Sequence, residues 1–302
     1  VDAKKVDDTL EIVAIGKAET PDFFFTSNLE KNIESQVNQI KKLIETSRIT
    51  KKDVNIIIPD SLTYSQIISM PLLNEKELIT AIKYQADQFI PMPIEETNID
   101  IEVIIEDQVE KKVLLLIVAA PKKVVERVQT AVELAGLNPE SVENELSCTA
   151  RFINSFNKKL INQYKINQTQ GIVIANFDTN STSLSYFSPQ ELIVKEVHHL
   201  SIGYQLFLKE TQVNTNTDIK KSEEMLKNYD KNNPSSYSLE KIVQPLVKEF
   251  STELKLFISK YNPATVLFTN KIFLYPSLVT NLTEELGLPI NIFEPSLLLK
   301  KS

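Results

Sequence analysis

The side chains able to do covalent or metal chemistry are few and scattered along the 302 residues. Cys148 is the single cysteine. It stands in Leu146-Ser-Cys-Thr-Ala150, where helical spacing turns the thiol toward apolar neighbours, which predicts a buried structural thiol rather than a nucleophile. One cysteine excludes an intramolecular disulfide and a cysteine-built zinc site, and it fits a reducing compartment. The two histidines, His198 and His199, are adjacent on a predicted strand. Their side chains then point to opposite faces and cannot grip one metal together. The carboxylate pairs Glu95-Glu96 and Glu223-Glu224 read as solvated faces and helix-start charges, and no Gly-x-Ser-x-Gly elbow is present. No catalytic residue and no metal ligand is expected.

Phosphate chemistry is constrained by glycine. The chain has five: Gly16, Gly136, Gly171, Gly203 and Gly287, each far from the next. Glycine-rich phosphate cradles need several close together, for tight turns and close backbone approach, so GxGxxG and P-loop sites are excluded. The net charge is −7, from 33 basic and 40 acidic residues, which disfavours nucleic acid as a partner. With 42% hydrophobic residues the chain can bury a large core. No apolar run reaches the roughly 18 residues of a membrane span, and no signal-peptide pattern opens the chain.

The elements that must position these residues follow an α/β pattern. Residues 1–5 and 9–15 read as strands and 28–47 as a helix, with Leu29, Ile33, Val37, Ile40 and Ile44 on one face. Val54-Asn-Ile-Ile-Ile58 is a nearly continuous apolar strand. A block then follows: strand 63–70, helix from the Asn74 N-cap to about Phe89, stopped by Pro91 and Pro93, strand 99–103, hairpin 106–112, strand 113–120, helix 121–135 closed by Gly136, and a strand near 141–145. A helix is expected over about 146–164. Three successive strands at 171–177, 182–187 and 191–197 predict an antiparallel meander feeding an α/β sheet. The polar stretch 211–236 carries a short helix at about 217–228. A long helix over 239–261 has the core stripe Ile242, Leu246, Phe250, Leu254, Phe257 and Tyr261. Strand 265–269, helix 275–286 and strand 290–293 close the chain.

This order, and the stretch from Ile68-Ser-Met-Pro-Leu-Leu-Asn-Glu-Lys-Glu-Leu through Tyr84-Gln-Ala-Asp-Gln-Phe-Ile-Pro-Met-Pro-Ile94, resembles the PilM family of type IV pilus assembly proteins, relatives of the cell-division protein FtsA. Val113–Pro121 and Ala131–Glu145 are similar to two further family segments. The resemblance implies an α/β, actin-like fold of two ribonuclease-H-like domains with the inserted subdomain 1C of FtsA and PilM. Residues 1–60 and 143–165 would form subdomain 1A, 61–142 subdomain 1C, and 166–302 the second domain (2A/2B). The family's first strand and first phosphate loop would lie upstream of Val1.

The resemblance also locates a nucleotide site and departs from it. The family's second phosphate loop corresponds to Asn176-Phe-Asp-Thr-Asn-Ser-Thr-Ser-Leu184. Asn176 stands for an aspartate and carries no charge to hold Mg²⁺, and Asp178 stands for a glycine and brings a negative charge toward polyphosphate. The hydroxyls of Thr179, Ser181 and Thr182 are the phosphate-binding candidates, with strand-end polar residues as the plainer reading. The family's glycine-rich adenosine loop corresponds to Thr269-Asn-Lys-Ile272, including Asn270. A degenerate site without ATP or Mg²⁺ is expected, and an ATP-dependent actin-like switch is the alternative. A further alternative is an adaptor of a membrane machine, like FtsA or the GspL cytoplasmic domain.

The partners implied by the resemblance are the cytoplasmic N-terminal peptide of the membrane protein PilN and the pilus assembly ATPases. The place implied is the cytoplasmic face of the inner membrane, reached through partners. Tyr84, Gln88, Phe89, Ile90 and Pro91, with Ile99 and Ile101 of the following strand, are the expected wall of a peptide groove between 1A and 1C.

Overall fold

The computed structural model describes residues 1–7, 9–20, 24–25, 30–74, 76–78, 80–82, 84, 90–166, 169–188, 193–230, 232–233 and 237–299. The chain divides into two compact units, Val1–Phe156 with Pro295–Ser302, and Asn157–Glu294.

The first unit opens with β1 (Asp2–Val6) and β2 (Thr9–Ala14), an antiparallel hairpin. Helix Glu30–Thr46 leads into β3 (Asp53–Ile58). Next come β4 (Tyr64–Pro71), described helical residues at 76–84, β5 (Thr97–Asp107) and β6 (Lys112–Pro121). These three strands form one antiparallel sheet in the order β4-β6-β5. Its central strand β6 is apolar on both faces, as a doubly covered strand should be. Val113, Leu115, Ile117 and Ala119 pack with Ile68, Met70, Leu78, Ile82 and Ile90 under the helix. Helix Lys122–Leu134 ends at Gly136, whose φ of 85° is the left-handed value of a helix stop. β7 (Asn138–Asn144) then pairs in parallel with β3. The core around this pair joins Ile56, Val128, Val132 and Leu137 to Ile40, Ile44 and Val142. Residues 122–144 thus pack with β3 and helix 30–46, so the expected range 61–142 spans two sheets.

The expected helix over 146–164 is two helices, Glu145–Ser155 and Asn157–Gln163. The break falls at Phe156, whose backbone leaves the helical region (φ −120°, ψ 19°) while its ring is buried.

The second unit is built on one five-stranded sheet, in the spatial order Val194–Leu200, Thr182–Phe187, Ile172–Phe177, Thr265–Asn270, Ile290–Ile292. β8 (Ile172–Phe177), β9 (Thr182–Phe187) and β10 (Val194–Leu200) form the antiparallel meander. β11 (Thr265–Asn270) and β12 (Ile290–Ile292) extend it in parallel. Helix Tyr237–Ile258 lays its apolar stripe on one face, where Phe250 packs against Phe177 and Phe268. A helix absent from the sequence reading, Tyr204–Thr215, precedes helix Ile219–Lys227.

Candidate functional site

In the second unit the four residues 178–181 join β8 to β9. The turn is closed by the Asp178 N–H donating to the Ser181 carbonyl at 2.9 Å. It rests on Gly203, the residue before helix Tyr204–Thr215. The Tyr204 N–H donates to the Asp178 carbonyl (2.9 Å) and the Gln205 N–H to the Thr179 carbonyl (2.7 Å). These are the helix's first amides, the donors that would otherwise face an anion. The Thr182 hydroxyl is fully buried and donates to the Ile202 carbonyl at 2.6 Å. Thr179 donates to the Asp178 carboxylate at 3.3 Å. Asn176 is buried in the sheet and accepts from Thr269 at 3.1 Å. Ser181 is half-buried in the turn. The structure therefore brings Asn176, Asp178, Thr179, Ser181 and Thr182 together. The first amides of the helix and the Thr182 hydroxyl are bonded within the protein, and a largely buried carboxylate occupies the turn.

At the end of β11, Asn270 holds φ 66° and ψ −132°, a conformation natural to glycine. Ile272 is fully buried, and Lys271 places its Nζ 5.9 Å from the centre of the Tyr204 ring. That ring stacks on Tyr275 at 5.3 Å, and the Tyr204 hydroxyl donates to Glu223 at 2.7 Å. The bond from Tyr204 holds Glu223 below the usual carboxylate range, with help from Lys227 at 3.2 Å. Burial pushes both tyrosines upward. Glu223 is thus no simple solvated charge. The sequence reading missed this cluster because its members come from three separate elements; only the aromatic residues at 204 and 275 hinted at it.

Cys148 also departs from expectation. It is half-exposed, and its thiol lies 3.6 Å from Glu143 Oε2 and 3.8 Å from Arg151 Nη2. Burial, and then the Glu143 charge, push its pKa up to about 11, so it is a poor nucleophile. His198 is exposed against Phe257, whereas His199 Nδ1 lies 3.2 Å from the Ser183 hydroxyl. Among the described residues no group of three His, Cys, Asp or Glu is placed to hold a metal.

In the first unit β5 is an outer strand of its sheet, with a cleft on each side. The larger, about 830 Å³, lies toward the 76–84 helix and is lined by Ile82, Ile94, Ile99, Ile101 and Val103. The smaller, about 390 Å³, lies toward β7 and helix Glu145–Ser155 and is lined by Asn98, Asp100 and Glu102 over Ile58, Val118 and Val142. Ile99 borders both, and Ile101 borders the larger one alone. Tyr84 is 91% exposed, and Pro91 is exposed. Ile90 is 4% exposed and belongs to the core under the helix, so it offers no surface to a partner. Gln88 and Phe89 lie outside the described residues.

The family model of the type IV pilus assembly protein PilM matches residues 1–301. Among solved structures, the chain is similar to one in a PilM-PilN type IV pilus biogenesis complex, with TM-score 0.80 and 18% identity, covering 99% of this chain and 85% of that one. Weaker likenesses are to MreB 5 of Spiroplasma citri bound to AMPPNP (TM-score 0.47, 11% identity, 86% and 70% covered) and to ethanolamine utilization protein EutJ from Carboxydothermus hydrogenoformans (0.41, 14%, 56% and 56%). The fold is α/β, like that of the chain in the PilM-PilN complex. Among the described residues no helix is long and apolar enough to cross a membrane.

Proposed function

We propose that this chain, which belongs to the type IV pilus assembly protein PilM family, serves pilus assembly as a non-enzymatic scaffold that binds the cytoplasmic N-terminal peptide of a PilN partner at the inner membrane. The observation that carries the reading is the outer edge of β5, flanked by two clefts. An unpaired strand edge offers main-chain donors and acceptors to an extended segment, and neighbouring clefts take its alternate side chains. The likeness to a chain of a PilM-PilN complex supports the choice of partner. Ile99, Ile101 and the exposed Tyr84 and Pro91 are the members of the expected wall available for contact.

The scaffold works without nucleotide. The turn at 178–181 is committed to capping helix Tyr204–Thr215, which supports a site that no longer takes ATP or Mg²⁺. Calorimetry tests both parts: the synthetic N-terminal peptide of the partner is titrated into the protein with and without Mg-ATP. Micromolar binding indifferent to Mg-ATP is expected. Binding that requires Mg-ATP would replace the scaffold with an ATP-dependent switch, and no binding in either condition would remove the peptide.

A further inference from the structure

We infer that the β5 edge selects its peptide by charge: a lysine or arginine of the extended segment is held by Asp100 and Glu102 above the apolar floor of the smaller cleft. The inference rests on the peptide-binding reading above and specifies the chemistry of the peptide. Successive side chains of a strand alternate between faces. On β5 this sends Ile99 and Ile101 to pack with the core that includes Leu78 and Ile82, while Glu102 lines the smaller cleft alone and Asn98 and Asp100 border both clefts. On that face Asn98 and Asp100 stand opposite Ala120 and Val118 of β6. The floor beneath is Ile58, Val118, Ala120, Val125 and Val142.

The charges lining this cleft do not balance. Arg151 is its one basic residue, and it is bound to Glu143 at 2.5 Å. Asp100 and Glu102 are exposed, and among the described residues neither has an ion-pair partner; one Asp100 oxygen accepts the neighbouring Ile101 N–H at 2.9 Å. Two uncompensated carboxylates therefore stand beside an apolar floor and an unpaired strand edge. A purely apolar segment would cover the floor but desolvate both carboxylates, and an acidic one would be repelled. A lysine or arginine does neither: its methylene stem lies on the floor and its charged head stays at the rim between the acids.

The test uses fluorescence anisotropy with the labelled N-terminal peptide of a PilN-type partner, and the same peptide with its basic residues replaced by norleucine. The protein variant Asp100→Asn with Glu102→Gln keeps size and exposure, and its thermal melt checks folding. The variant is expected to bind the natural peptide about fivefold more weakly, the scale of exposed ion pairs. The norleucine peptide is expected to lose a similar factor on the wild type and nothing further on the variant. Natural-peptide affinity equal on wild type and variant would overturn the charge reading and leave the peptide reading intact. Failure of the wild type to bind the natural peptide would overturn the peptide reading and this inference with it. A wild-type dimer in sedimentation that the double substitution disperses would give the edge to a second copy and overturn the inference in a third way.

Discussion

Asp178 and Gly203 meet backbone to backbone: a Cβ added to Gly203 would sit 2.6 Å from the Asp178 carbonyl oxygen and 2.6 Å from the Ser181 nitrogen. The neighbours are main-chain atoms, so no rotamer change relieves the clash. The φ of Gly203 is −147°, so the demand is one of space alone. Gly203→Ala is expected to cost about 2 kcal/mol or more, as overpacking against fixed backbone does. A urea unfolding midpoint close to that of the wild type would show that the turn does not seat on the helix as described.

A second anchor lies in the first unit. Asp60 is 5% exposed; its side chain accepts the Leu146 N–H at 3.0 Å, and its own N–H donates to Glu145 at 3.3 Å. Asn144 caps the same helix through Ser147 N–H and donates to Ser65 at 2.8 Å. Asp60→Ala removes the acceptor of the Leu146 N–H and leaves a buried amide unpaired, for an expected loss of about 2 kcal/mol. Chemical denaturation reads the loss, and Asp60→Asn should recover part of it because an amide oxygen still accepts.

Asn270 holds a backbone conformation that a Cβ disfavours. Asn270→Gly is expected to stabilise the protein by about 0.5–1 kcal/mol, the strain relieved being larger than the added freedom of the unfolded chain. A lower unfolding midpoint would mean that the Asn270 side chain contributes more than its backbone costs.

Cys148 is expected to alkylate slowly. With its pKa up to about 11, the thiolate is the minor form at pH 8, and the iodoacetamide rate should rise steeply toward pH 11 instead of levelling near 9. The Glu143 charge opposes ionisation, so Glu143→Gln should move the profile to lower pH. A profile centred near pH 9 in the wild type would contradict the burial of the thiol.

How much of this was legible in the sequence differs by element. β8 and β11 were found because their apolar runs are what a strand covered on both faces requires. Helix Tyr204–Thr215 was missed. It starts without a side-chain cap, and its first amides bond to the carbonyls of Asp178 and Thr179, some 25 residues away in the chain. No local pattern can announce a cap supplied at that distance. The buried Thr211 deepens the disguise, since its hydroxyl is satisfied by the Phe207 carbonyl at 2.8 Å and reads as surface in the sequence. Phe156 ends its helix with neither glycine nor proline as a signal. At the β5 edge the alternation of Ile99 and Ile101 with Asp100 was plain, but which face met the helix and which the smaller cleft depended on tertiary packing.

The Tyr204–Glu223 bond predicts how stability depends on pH. Glu223 is held below the usual carboxylate range by the Tyr204 hydroxyl, with Lys227 beside it and the Lys271 charge acting in the same direction. A carboxylate whose folded pKa is depressed contributes stability above its unfolded pKa, and that contribution is lost as pH falls through the folded value. Tyr204→Phe keeps the ring on Tyr275 and removes the hydroxyl. Its expected cost at pH 7 is about 1 kcal/mol, modest because Glu223 is partly solvated. Well below the carboxylate range Glu223 is protonated in both states, the charge-assisted part of the bond is gone, and the gap between wild type and variant should narrow. Urea midpoints for both proteins, followed from pH 7 down through and below the carboxylate range, measure this directly. A gap that stays constant across that range would mean that the Tyr204 hydroxyl stabilises the second unit independently of the Glu223 charge.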